Sequence, residues 1–181
     1  YEKKGWGEPV QKVTIVPRAD MGGFLWTIPN EDLSNFTYEQ LIAKIGTGLG
    51  SYVAERKEFG NNCRGVEGDM QMLYGIARKM VTRWGMSKEL GPIWIEETQE
   101  TGYPMEAKKS HSEALLQKVD DATKKIIEET QKETEQTLNK DWYILRGMLP
   151  ELIDKEELER ETILNLVDKF RTEKAPRLES I

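Results

Sequence analysis

Met80-Val81-Thr82-Arg83-Trp84-Gly85-Met86-Ser87-Lys88-Glu89-Leu90-Gly91-Pro92 is the stretch whose reading decides how this chain folds. Its first residues close an apolar stripe, Met72, Leu73, Ile76, Ala77, Met80 and Val81, spaced three and four apart as on one face of a helix. Asp69 opens that helix and Gly85 ends it. Gly91-Pro92 then starts an extended piece over residues 93–95.

Upstream, residues 11–17 read as a strand, with Val13, Ile15 and Pro17 alternating with Lys12, Thr14 and Val16. A turn over residues 19–23 leads to a partner strand, residues 23–28, closed by Pro29. Residues 30–36 are a polar loop. Thr37-Tyr38-Glu39-Gln40 has capping-box spacing, with Thr at the N-cap and Gln three residues on. The helix it opens carries Leu41, Ile42, Ile45, Leu49, Tyr52 and Val53 on one stripe. Gly46, Gly48 and Gly50 interrupt it at a cost of about 1 kcal/mol each against alanine, which predicts a close-packing role for them. Residues 59–68 form a loop with turn chemistry at Gly60-Asn61-Asn62.

Downstream, residues 96–109 are acidic and read as disorder or a surface loop. From residue 110 to about 148 the pattern is helical again, with Leu115, Leu116, Val119, Ala122, Ile126, Ile127, Thr130 and Leu138 on a stripe. That stripe drifts at helix period instead of holding strict heptads, which favours packing within the domain over a coiled coil. Glu128 and Lys132 stand at ion-pair spacing. Pro150 is expected to break the helix. A short turn follows Leu152 and Ile153, and residues 159–170 form a last amphipathic helix through Ile163, Leu164, Val167 and Phe170. The expected fold class is mainly α with a small N-terminal β-hairpin, in one domain over residues 1–172 with a frayed tail at 173–181.

The chain has 181 residues and a net charge of −6, which argues against nucleic-acid or phosphate binding. No apolar run reaches the ~18 residues a membrane span needs, and no signal peptide is visible. A chain opening on Tyr instead of Met is expected to be part of something longer. Cys63 is the single cysteine and His111 the single histidine, so neither an internal disulfide nor a cysteine-based zinc site can form. Cys63 is expected to be a small half-buried residue and not a nucleophile, because His111 lies far along the chain. Gly46-Thr47-Gly48-Leu49-Gly50 is not a phosphate cradle: a helical stripe precedes it where a strand should, and no Lys-Ser/Thr pair follows. Asp69 is the candidate site residue. An Asp at a helix start is ordinarily an N-cap or a partner of the helix dipole. Glu55 and Glu58 could crowd a site with it, but carboxylates alone suit hard cations and not zinc.

Taken in order, these segments resemble the peptidase domain of the FtsH-type AAA+ zinc metalloproteases, over about Pro9 to Phe170. Residues 9–18 look like the family's P-V-x-K-V-T-I-x-P-R-G strand, and residues 22–29 resemble its L-G-x-T-x-x-x-P partner. Leu49-Gly50-Ser51-Tyr52-Val53-Ala54-Glu55-Arg56 stands where the family has L-G-G-R-A-A-E-E. Gly65-Val66-Glu67-Gly68-Asp69-Met70 stands where it has G-A-x-N-D-L. Ala77 to Thr82, Gly85-Met86-Ser87 and Leu90-Gly91-Pro92 are nearly verbatim, and residues 152–158 are similar to L-L-x-K-E-T-L.

The resemblance implies zinc held by two histidines of a helix-borne HExxH and by one aspartate, whose position Asp69 matches, with the motif's glutamate activating a zinc-bound water. The HExxH is expected upstream of Tyr1, so this chain alone is expected to hold no zinc and to contain no catalytic residue. It further implies a membrane-anchored parent with an ATP-binding AAA+ domain, a homo- or hetero-hexamer, and unfolded or membrane proteins as substrates. The domain would face an aqueous compartment at a plastid, mitochondrial or bacterial inner membrane. Departures gather at the site: Ser51 and Tyr52 for Gly and Arg, Arg56 for the second Glu, Cys63 and Arg64 for a Thr pair, Gly68 for Asn, Tyr74 for Thr. That is the pattern of a non-catalytic relative, such as the inactive FtsH-like subunits of plastids. The two leading expectations are a pseudoprotease serving ring assembly of an ATP-driven unfolding or translocation motor, and the C-terminal portion of an active endopeptidase. A stand-alone binding subunit is the third.

Overall fold

The computed structural model describes residues 1–18, 22–28, 35–95 and 111–174. Four α-helices and a small antiparallel sheet account for most of them, which is the mainly α class with its N-terminal hairpin. The chain divides into two compact units, one of Thr37–Gln136 and one of the described residues of Tyr1–Phe36 with those of Thr137–Ile181. No helix among the described residues is long and apolar enough to cross a membrane.

In the first unit, α1 (Tyr38–Phe59) starts at the expected capping box: Thr37 Oγ1 accepts from Gln40 N–H at 3.3 Å and Gln40 Oε1 accepts from Thr37 N–H at 2.9 Å. It ends at Gly60, whose φ of +74° only glycine adopts without strain. A 3₁₀ turn, Arg64–Val66, leads into α2 (Glu67–Thr82), which has no side-chain N-cap; Glu67 and Asp69 place negative charge in its first turn instead. The long helix α3 (Glu113–Lys155) contributes its N-terminal half to this unit. The core draws on the expected stripes, with Leu41, Ile45 and Leu49 of α1, Leu73, Ala77, Met80 and Val81 of α2, and Val119, Ala122 and Ile126 of α3, and it adds Ile95; Leu116, expected on the α3 stripe, is exposed. The buried hydroxyls of Thr123, Thr130 and Thr134 donate to carbonyls four residues back at 2.7 to 2.9 Å, so they carry no unmet bond into the interior.

Residues 80–92 fold as a helix end that doubles back. Met86 N–H reaches the Met80 carbonyl at 2.9 Å and Gly91 N–H reaches Ser87 O at 2.9 Å. Ile95 N–H then returns to Thr82 O at 2.7 Å. Gly85 has φ +61°, and an added Cβ would stand 3.0 Å from Pro92 Cα, so glycine is required there twice over. Residues 93–95, expected to be extended, belong to no strand, and Ile93 N–H bonds the Gly91 carbonyl at 2.9 Å. Glu89 of this turn pairs with Lys125 of α3.

In the second unit, β1 (Val10–Thr14) pairs antiparallel with β2 (Phe24–Thr27), as expected. It also pairs with β3 (Glu157–Glu159), in a stretch where the sequence predicts only a turn. β3 is only Glu-Leu-Glu, too short for alternation to show. What fixes it is Leu158, buried opposite Val13, and Lys12, which reaches Glu157 at 3.1 Å and Glu159 at 2.8 Å. Arg160, the first residue of α4 (Arg160–Lys174), donates to the Val10 carbonyl and to Glu2, each at 2.6 Å. Pro150 does not break α3, which runs on to Lys155. Proline at this position removes one bond, the one to the Arg146 carbonyl, and the remaining turn is held by its own bonds and by the Glu151–Lys155 pair at 2.6 Å.

Three packing expectations are corrected. Met72 is 48% exposed and lies off the buried face, because α2 buries Leu73 and Ala77 one step round. A Cβ placed on Gly50 would meet nothing within 4 Å, so close approach does not explain that glycine. At Gly48 it does: a Cβ would meet Met72 Cε at 3.3 Å and lie 3.9 Å from the Asp69 carbonyl. Glu128 stands 3.6 Å from Lys124, an ion pair one turn back from the expected partner Lys132. The turn expected at 19–23, the loops at 30–36 and 96–109, and the tail beyond Lys174 fall wholly or mainly outside the described residues.

Candidate functional site

Asp69 is the third residue of α2, half-buried, where α2 starts against the second half of α1. The close approach at Gly48 brings the two helices together there. Ser51, almost one turn further along α1, donates its hydroxyl to Asp69 Oδ2 at 3.1 Å. Asp69 is therefore the first-turn acid the sequence allows, not an N-cap, and its carboxylate has a protein partner.

One turn past Ser51 on α1, Glu55 turns to the loop that precedes α2. Its Oε2 accepts the Cys63 N–H at 2.9 Å and its Oε1 accepts the Cys63 thiol at 3.0 Å. Those bonds from Cys63, the thiol's first, hold the Glu55 carboxyl below the usual carboxylate range. Asn62 donates its side-chain amide to the Tyr52 carbonyl at 2.7 Å. Arg56 lies over the Tyr52 ring, 5.6 Å from its centroid, and donates to its hydroxyl at 2.8 Å. Tyr74 is bonded in the same way by Arg78, which also pairs with Asp120 of α3 at 2.7 Å. Cys63 is exposed, contrary to expectation, because it sits on the outer side of the loop with Glu55 as its neighbour.

The crowding of Asp69 with Glu55 and Glu58 that the sequence leaves open is not what the geometry gives: Asp69 faces Ser51, Glu55 faces Cys63, and Glu58 is exposed in the last turn of α1. Among the described residues no three His, Cys, Asp or Glu side chains stand together as a metal site. Zinc needs three or four protein donors, commonly nitrogen or sulfur. The described residues do not fit zinc by themselves; Asp69 could supply one oxygen to a site completed elsewhere. Gly46 to Gly50 lie inside α1, with the Thr47 hydroxyl donating to Ala43 O at 2.9 Å, so that run is helix and not a phosphate loop. The Glu55–Cys63 and Ser51–Asp69 pairs have no signal of their own in the sequence. The departures that gather at residues 51, 52, 56, 63, 64, 68 and 74 point to that corner without pairing its side chains.

Residues 5–166 match Peptidase family M41. A protein of Veillonella parvula described as "ATP-dependent zinc metalloprotease FtsH" is 37% identical over 175 residues, covering 95% of this chain and 27% of the relative. Proteins of the same description from Chloroflexus aggregans and Bacillus subtilis are each 34% identical, over 91% and 88% of this chain and 26% of their own length. The chain thus spans about a quarter of the length of the curated relatives it matches. The sheet, the 80–92 turn and Asp69 all fall within the matched residues, and the chain belongs to Peptidase family M41, as an FtsH-type peptidase domain segment.

Proposed function

We propose that this segment is a non-catalytic peptidase-like part of a membrane-anchored AAA+ protein, in which it serves ring assembly of an ATP-driven unfolding or translocation motor. The observation that carries this reading is the Ser51–Asp69 hydrogen bond, which gives the one candidate zinc ligand a partner from the protein itself. The neighbouring pairs support it: Tyr52–Arg56 and Glu55–Cys63 fill the corner with protein contacts in which Tyr52, Arg56 and Cys63 depart from the family's pattern. On this reading the ATP site lies in the parent's AAA+ domain, the partners are FtsH-like subunits in a homo- or hetero-hexamer, and the segment faces water beside a membrane.

A second reading keeps Asp69 as the third zinc ligand of an active endopeptidase acting on membrane proteins, with an HExxH contributed from upstream. Its support is the position of Asp69 in the first turn of α2, half-buried beside α1 and matched to the family's aspartate. Incubation of the full-length protein with ATP, zinc and an unfolded protein substrate separates the two. The scaffold reading expects ATP hydrolysis and ring assembly without peptide-bond cleavage; cleavage that disappears in Asp69→Asn would establish the second.

A further inference from the structure

We propose that the α1–α2 corner is a latch, in which Glu55 and Asp69 act as structural anchors that hold the two ends of the loop between the helices. This rests on the non-catalytic reading of the same corner. The geometry is that of a built device. Glu55, on the last two turns of α1, accepts both the backbone N–H and the thiol of Cys63, so one side chain fixes that residue at two atoms. Asn62 is tied back to the Tyr52 carbonyl at the same level of the helix. Asp69 closes the far end of the loop on Ser51.

The three ties come from neighbouring positions on α1: residue 51 holds residue 69, residue 52 holds residue 62, and residue 55 holds residue 63. Between them runs the 3₁₀ turn Arg64–Val66, whose N-terminal neighbour Cys63 makes no side-chain cap. The loop thus owes its conformation to α1. A hydrogen bond to an ionised acceptor is among the stronger kinds, and a backbone N–H bonded this way is protected from solvent while the bond is made. The latch also gives both carboxylates protein donors: Asp69 at Oδ2, and Glu55 at both of its oxygens.

Amide hydrogen exchange of the full-length protein tests this. Glu55→Ala is expected to speed exchange at the Cys63 amide by on the order of tenfold, with α1 itself unaffected because residue 55 lies outside its buried stripe. Ser51→Ala is expected to speed exchange across 67–69, and Ser51→Thr, which keeps the hydroxyl, to restore it. Added Zn²⁺ should leave all of these rates unchanged. The proposal is overturned if the Cys63 amide exchanges alike in Glu55→Ala and the native protein, or if Zn²⁺ slows exchange over 60–69 and Asp69→Asn abolishes that slowing. Peptide-bond cleavage by the intact protein would sink the non-catalytic reading while leaving the exchange result standing, so the two fail separately.

Discussion

Replacing Gly50 and Gly147 by alanine, one at a time, applies the same chemical change in two helix interiors with opposite surroundings. In an exposed helical position the change stabilises by about 1 kcal/mol through helix propensity and the unfolded chain's lost freedom. Gly50 of α1 has no neighbour within 4 Å of the new Cβ, so Gly50→Ala should show that gain in full. At Gly147 of α3 the new Cβ would stand 2.5, 2.7 and 2.8 Å from Cζ, Cε2 and Cε1 of Phe170 on α4. Contacts that short are not tolerated, so the ring must swing away or the two helices must part. Overpacking of this kind costs roughly 1–3 kcal/mol, enough to cancel or reverse the propensity gain. The propensity term is common to both variants, so their difference isolates the clash at about 1–3 kcal/mol. For a chain of this size 1 kcal/mol corresponds to about 2–4 °C in Tm. Thermal unfolding followed by far-ultraviolet circular dichroism should therefore place Gly50→Ala a few degrees above the native chain and Gly147→Ala level with it or below. Equal rises in both variants would refute the packing of α4 on α3 as described.

Other outcomes follow from the caps and the ion pairs. Thr37→Ala removes the hydroxyl half of the α1 capping box and should lower stability by about 1 kcal/mol, read as a downward shift in the denaturation midpoint, while Thr37→Ser should cost little. Arg160→Ala should make stability less dependent on acid. Its hydrogen bond to Glu2 is the main cause holding that carboxyl below its ordinary value of 4.5. A lowered folded-state value adds stability that is present above the unfolded value and is lost as pH falls through the lowered one. The gap between native chain and variant should accordingly be full at neutral pH and shrink below about pH 4.5 in a pH series of melts. Because both side chains are about a third exposed, the whole gap should stay near about 1 kcal/mol.

The helices are legible in the sequence because their signals are local. The capping box at Thr37 and the stripe from Leu73 to Val81 are each set within one or two turns of chain, and the structure has both; the helix itself stops at Thr82, capped at Arg83, ahead of the expected Gly85, whose φ of +61° serves the reversal that follows. Pro150 shows the limit of such rules: a proline near a helix end removes one bond, and the last turn of α3 survives on the rest. β3 is hidden for another reason. Its register depends on Val13 and Lys12, about 145 residues away, and three residues carry no period of their own. At the candidate site the position of Asp69 at the start of α2 is readable, but its partner is not. Ser51 and Asp69 are 18 positions apart on different helices, and nothing short of the α1–α2 packing at Gly48 brings them together. The same holds for Glu55, which chain position alone makes a companion of Asp69 and the fold assigns to Cys63.

If Asp69 is a structural acid within a non-catalytic segment, the zinc content of the full-length protein, measured by elemental analysis, is where that shows most directly. The native protein and Asp69→Asn, purified without chelator and dialysed against micromolar zinc, should retain the same sub-stoichiometric zinc and the same thermal stability before and after EDTA. One zinc per subunit in the native protein, lost in Asp69→Asn and stripped by EDTA with a fall in Tm, would contradict the claim and place Asp69 on the metal.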